Sequence, residues 1–244
     1  ATLAPKLSDL DMSYSKVSVL TPLTSHVSLR KLLMSGTMIR DASLHNFIPT
    51  EAFRGLHEFH IAGCLLTDNA LNPLNTNIHL RTLNITENHV GDKILAKLSL
   101  FAPHLSDLDV GTVDLKDRLV LVTLAERLPH LNRVKMVNAQ NGINGALISM
   151  QKAHVPIAHL EVPWCSVRDI VVHSLGTAFP NLQTIDLTGS QLSNAPLEKL
   201  KSCINLTSLN LSWCTQLVDP TVLEITAGCT RLTSLAIAHC QQVT

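Results

Sequence analysis

The chain has 244 residues, with 19 Lys and Arg against 19 Asp and Glu, 45% apolar residues and 3% aromatics. Zero net charge and no long block of one sign take away the electrostatic footprint of a nucleic-acid groove or an anionic membrane surface. No apolar run approaches the roughly 20 residues of a membrane helix, and Ala1 to Lys6 has no signal-peptide anatomy, which points to a folded protein of the cytoplasm or nucleus with neither membrane nor direct nucleic-acid partner.

Leucine fills 42 positions, and in chain order these leucines mark ten short strands of the form L-x-x-L-x-L. The series opens with Leu7, Leu10 and Met12, then Leu29, Leu32 and Met34, then Leu56, Phe59 and Ile61. Leu80, Leu83 and Ile85 follow, with Leu105, Leu108 and Val110, and Leu131, Val134 and Met136. Ile157, Leu160 and Val162 form the seventh unit, Leu182, Ile185 and Leu187 the eighth, Leu206, Leu209 and Leu211 the ninth, and Leu232, Leu235 and Ile237 the tenth. Starts recur on average every 25 residues.

Twelve or thirteen places into a unit stands Asp41, Asp68, Asp92, Asp117, Asp169, Asn194 or Asp219, two places after an apolar column that includes Ile39, Leu66, Val90, Leu115 and Val167. Aspartate or asparagine ahead of an apolar-periodic stretch predicts a helix N-cap. Helices are expected over Lys93 to Phe101, Arg118 to Leu128, Ala146 to Ala153 and Ile170 to Phe179. Pro5, Pro103, Pro129 and Pro180 stand two residues before a strand's first leucine and close the preceding helix. Each unit thus reads strand, turn, helix. One unit cannot bury its apolar edge alone, so the units stack into a solenoid with a parallel sheet inside and helices outside.

This pattern resembles the leucine-rich-repeat family over essentially the whole chain. The ninth unit, Leu206 to Asp219 with Gly228-Cys229 before Leu232, is similar to the cysteine-containing subtype found in F-box leucine-rich-repeat proteins. The resemblance implies an α/β leucine-rich-repeat solenoid, a right-handed horseshoe arc of about ten repeats, forming one domain over residues 1–244 with the sheet concave. It implies a non-enzymatic protein-interaction module without cofactor: the substrate-recognition repeats of an F-box-type ubiquitin ligase adaptor, or a scaffold subunit of a large cytoskeletal or ribonucleoprotein assembly. Both ends look cut, as in a segment of a longer chain.

Cys64, Cys165, Cys214 and Cys240 occupy the ninth place of their units, and Cys203 and Cys229 stand three residues before a strand. Buried, uncoupled thiols explain this placement, and with no C-x-x-C pair no metal is expected. His79, His104 and His130 precede successive units and are expected to stack, as polar loop positions or as a pH-sensitive ladder. No nucleophile elbow, phosphate-binding glycine loop or zinc-protease element occurs, so neither an enzyme nor a small-molecule substrate is expected.

A protein partner is expected on the concave face and the ascending rim. Residues three and five of each strand point outward there. Asp107 and Asp109, then Arg133 and Lys135, then Glu161 give neighbouring strands opposite signs, as mutual compensation or as a template that orients a partner. Trp164 and Trp213, with Tyr14, all take the eighth place of their units, where the strand leaves the sheet. Tryptophan and tyrosine are frequent binding hot spots, and equally they pack over neighbouring turns.

Overall fold

A computed structural model describes residues 5–70, 77–112, 118–139 and 142–244. The expected Leu115 and Asp117, and the first residues of the segment from Ala1 to Lys6, lie outside that set. The chain divides into two compact units, Ala1–Lys116 and Asp117–Thr244.

The first unit holds strands β1 (Asp9–Asp11), β2 (Lys31–Leu33), β3 (Glu58–His60), β4 (Thr82–Asn84) and β5 (Asp107–Thr112). Its helices are α1 (Asp41–Phe47), α2 (Glu51–Arg54) and α3 (Asp92–Phe101). The second holds α4 (Arg118–Arg127), β6 (Arg133–Val137), α5 (Ile143–Lys152), β7 (His159–Glu161), α6 (Asp169–Val172), α7 (Leu175–Ala178), β8 (Thr184–Asp186), α8 (Asn194–Glu198), β9 (Ser208–Asn210), α9 (Asp219–Gly228) and β10 (Ser234–Ala236). Within each unit the strands pair parallel, in chain order and in the register of the repeat: Leu10 opposite Leu32 and Leu32 opposite Phe59 in the first, Leu160 opposite Ile185 and Ile185 opposite Leu209 in the second. The expected strands therefore all form.

Burial follows the leucine pattern. Leu29, Leu32 and Met34, Leu56, Phe59 and Ile61, and Leu182, Ile185 and Leu187 are fully enclosed, each such side chain contributing about 1.5–3 kcal/mol. Leu7, Leu10 and Met12, with Leu232, Leu235 and Ile237, are only partly covered, because each has a neighbouring coil on one side.

In several coils the ninth residue is a polar peg. Cys64 Sγ donates to the carbonyl of Met34, Cys165 to that of Met136, Cys214 to that of Leu187 and Cys240 to that of Leu211. Each acceptor is the sixth residue of the preceding coil, so the thiol ties one strand end to the next. Asn88 fills the same slot more completely. Its Nδ2 donates to Ile61 and Ile85 carbonyls, and its Oδ1 accepts from the amides of Cys64 and Leu66. All six cysteines are free and buried. Burial pushes the Cys165 thiol up to about 11 and the Cys203 and Cys214 thiols up to about 12.

The acidic column corrects one expectation. Asp41, Asp92, Asp169, Asn194 and Asp219 do stand at helix starts, yet as first helical residues, and the side chains of Asp41, Asp169, Asn194 and Asp219 do not cap their own helix. They bridge coils instead. Asp41 accepts from the Thr67 amide and hydroxyl, Asp169 from the Ser193 amide and hydroxyl, and Asp219 from the Thr244 amide and hydroxyl. Asn194 likewise takes the Val218 amide, and Asn144 takes that of Arg168. Asp68 does cap a helix, but the following coil's: its Oδ1 accepts from the Gly91 and Ile94 amides at the start of α3. A carboxylate at a first helical position still meets the favourable helix dipole, while its oxygens take the orphan amide one coil later.

Two helices depart from expectation. The stretch over 170–179 breaks into α6 and α7, because Ser174 Oγ donates to the Val171 carbonyl and so competes with the helix bond. The first coil has only a 3₁₀ turn, Thr21–Leu23. Among the described residues no helix is long and apolar enough to cross a membrane.

Candidate functional site

The rim is built by one backbone requirement. The eighth residue of nearly every coil adopts positive φ: Tyr14, Gly36, Gly63 and Glu87 in the first unit, Asn138, Trp164, Gly189, Trp213 and His239 in the second. Its amide donates to the seventh carbonyl of the next coil, as Tyr14 does to Ser35, Trp164 to Thr188 at 2.6 Å and Trp213 to Ala238 at 2.8 Å. This turn aims the eighth side chain out of the sheet and over the following coil.

Tyr14, Trp164 and Trp213, singled out by sequence, thus share one structural position. Tyr14 leans over Gly36, and Trp164 over Gly189, where an added methyl would stand 2.1 Å from Trp164 Cε3. In the second unit the rings continue. Trp164 and Trp213 lie 5.9 Å apart between centroids, and Trp213 stacks on His239 at 4.0 Å and 22°. Both tryptophans keep 45% exposure, and Tyr14 keeps 86%. Beside Trp164 opens a groove of about 710 Å³ lined by Asn138, Arg168, Asp169 and Gln191. The sequence pointed to the tryptophans; the contributions of Gly189 and His239 follow only from knowing that every eighth residue lies against the next.

The charged stripe is differently employed. Asp107 and Asp109 stand on β5 of the first unit, and Arg133, Lys135 and Glu161 on β6 and β7 of the second. Lys135 lies in register with Glu161, but the ion pair joins Glu161 to Arg133. Asp109 accepts from the Gly111 amide at 3.1 Å. The same bond, fifth side chain to seventh amide, recurs at Asp11, Asn84, Asp186 and Asn210. It is an Asx turn that finishes each strand, and it holds the Asp11 carboxyl below its ordinary pKa. Asp107 accepts from the Ser106 hydroxyl. The fifth column is therefore largely occupied in closing turns.

A second charged cluster lies on the strands of the first unit. Lys31 Nζ lies 2.9 Å from Glu58 Oε1, and His60 Nε2 lies 3.3 Å from the same oxygen. Burial holds the His60 imidazole below its usual pKa, against the opposing charge of Glu58. The His79 ring stacks on His57, at 5.6 Å and 22°. Among the described residues no group of three His, Cys, Asp or Glu side chains is placed to hold a metal ion.

A family model described as "Leucine Rich repeat" matches residues 76–99 and 202–219, the fourth and ninth coils. A chain from the structure of the Rad7 and Elc1 complex in yeast is 16% identical with a TM-score of 0.66, over 100% of this chain and 72% of that one. An internalin, inlF, from Listeria monocytogenes is 18% identical with a TM-score of 0.54, over 98% of this chain and 82% of that one. These findings support a leucine-rich-repeat family, and the fold is an α/β leucine-rich-repeat solenoid.

Proposed function

We propose that this leucine-rich-repeat chain is a non-enzymatic protein-interaction module whose partner is held at the aromatic rim of the second unit. The observation that carries the reading is backbone conformation. At the eighth position glycine adopts the left-handed turn without penalty, as Gly36, Gly63 and Gly189 do, whereas any side chain there costs about 1 kcal/mol or more. Trp164 and Trp213 hold that conformation while leaving nearly half their surface in solvent. A bulky residue kept in a strained turn with its face exposed points to use of that face. Arg133, Lys135 and Glu161, with Asp107 and Asp109, supply charges on the concave strands, and Tyr14 is the first unit's counterpart of the tryptophans.

The finer reading is that these are the substrate-recognition repeats of an F-box-type ubiquitin ligase adaptor working in the cytoplasm or nucleus. It is supported by the two cysteine slots and by the likeness to a chain whose structure was determined in a complex of Rad7 and Elc1. The test is affinity capture of the full-length protein, wild type against a Trp164→Ala, Trp213→Ala variant. We expect cullin-ligase subunits from both, and a further protein that only the wild type retains. A stoichiometric complex without ligase subunits would instead identify a scaffold subunit. Identical capture by the two forms would remove the rim from the reading.

A further inference from the structure

At the edge of the first unit where the chain enters β2, β3 and β4, donors converge on an open groove of about 610 Å³. Arg30 is the best fixed of them. Its Nη1 donates to the carbonyls of Val27 and Leu29, both at 2.9 Å. The guanidinium lies across Gly55, where an added Cβ would come within 2.7 Å of Nη1. That leaves the Nε and Nη2 donors of a planar fork already immobilised by the backbone. His57 is anchored similarly, Nδ1 donating to the Gly55 carbonyl at 3.0 Å, and His79 stacks over it, so the two rings form a flat wall of the groove; the His57 Nε2 edge donates only in the imidazolium form. Arg54 adds a second guanidinium, paired with Glu51, the one carboxylate of the lining. Two coils on from Arg30, Arg81 repeats its arrangement against the carbonyls of Ile78 and Leu80.

We propose that this groove binds a phosphorylated serine or threonine in an extended segment of a protein partner, at a site independent of the tryptophan rim. Two guanidiniums against one carboxylate leave an excess of fixed positive charge that favours an anion. A phosphate monoester presents three acceptor oxygens, which match the several N–H donors of Arg30 and Arg54 better than a carboxylate does. Val27 and Ile78, 60% and 53% exposed, flank the groove and offer apolar contact to residues on either side of the phosphate. A nucleic acid would need an extended basic track, whereas the chain as a whole carries no net charge.

The experiment is calorimetric titration of the full chain with a short phosphoserine peptide flanked by valines, beside its unphosphorylated form and a single-stranded oligonucleotide. We expect saturable binding of the phosphopeptide alone. Arg30→Gln and Arg54→Gln should each weaken it about tenfold. Gly55→Ala has an ordinary backbone conformation to adopt, so it tests the site with the fold kept: displacing the Arg30 head should cost about fivefold. The Trp164→Ala, Trp213→Ala variant should bind as the wild type does, which separates this site from the rim. Binding indifferent to Arg30, Arg54 and Gly55, absence of saturation, loss of binding in the tryptophan variant, or tighter Arg30-dependent binding of the oligonucleotide would each overturn the proposal.

Discussion

Tyr14 and Phe179 apart, the two units place their aromatic side chains oppositely. In the first, Phe53 sits at the centre of the core, its ring 5.8 Å from Phe47, 5.5 Å from Phe59 and 5.3 Å from Phe101, while two of the rim turns are left to Gly36 and Gly63. In the second, the enclosed residues are aliphatics and thiols around a single phenylalanine, Phe179, and the large rings stand on the rim. One backbone repeat therefore tolerates bulk in either of two places. The interior position adds cohesion between coils. The rim position trades backbone ease for an exposed face.

The largest expected effect tests the first half of that contrast. Truncating Phe53 to Ala should destabilise the protein by about 3–5 kcal/mol, as for other buried rings. Phe179→Ala should cost at least about 1.5 kcal/mol less, since Phe53 forfeits three ring contacts worth roughly 0.5–1.5 kcal/mol each. Urea unfolding of both variants measures the difference. Equal losses would mean that the phenylalanine cluster adds nothing beyond its buried area.

Next comes the ninth position, where the units also differ: the first has Asn88 beside a single thiol, Cys64, and thiols serve most of the second. Asn88→Ala strands the buried amides of Cys64 and Leu66 as well as two carbonyls, an expected loss of about 3 kcal/mol. Cys165→Ala removes one weak donor, the weak sulfur acceptor of the Ala139 amide and little volume, an expected loss of about 1–2 kcal/mol. Comparable values would show that the peg acts by filling space.

The thiols also give the second unit a pH signature. Cys165, Cys203 and Cys214 have native pKa values of about 11, 12 and 12, above the ordinary value of 9.0. The native state thus holds protons that the unfolded chain releases. Their stabilisation is complete below the unfolded pKa and falls as pH rises from about 9 toward 11, by about 1.4 kcal/mol per pH unit for each thiol. Tryptophan fluorescence reports this unit selectively, because both tryptophans lie in it. Replacing the three cysteines with alanine should flatten the alkaline slope, and an unchanged slope would assign it elsewhere.

The strands, their register and the two cysteine slots were legible because each depends on a side chain's place within its own coil. What escaped reading depends on the coil beside it. Asp169 looks like an N-cap from its own neighbours, and only the stacked geometry gives its oxygens to Ser193. Asp109 reads as one charge of an opposite-sign stripe until its bond to the Gly111 amide is seen. Asn144, one place late in the acidic column, bonds the next coil as the others do. On the rim, Trp164 and Trp213 were evident by scarcity, but their shared left-handed backbone was not, since glycine, glutamate and asparagine fill the same turn elsewhere.

That shared backbone sets the smallest stability effect and the sharpest functional one. Trp164→Gly and Trp213→Gly each relieve about 1 kcal/mol of backbone strain at positive φ. Each also forfeits ring packing of similar size, against Gly189 in one case and His239 in the other. The net change in unfolding free energy should stay within about 1 kcal/mol. If the rings serve the partner, capture should nonetheless fall by about 2 kcal/mol in binding free energy, or roughly thirtyfold, in either variant. If they serve the coil, the order reverses: stability drops by more than that margin while capture persists. Measuring both quantities on the same two variants decides which half of the molecule's contrast is about folding and which is about recognition.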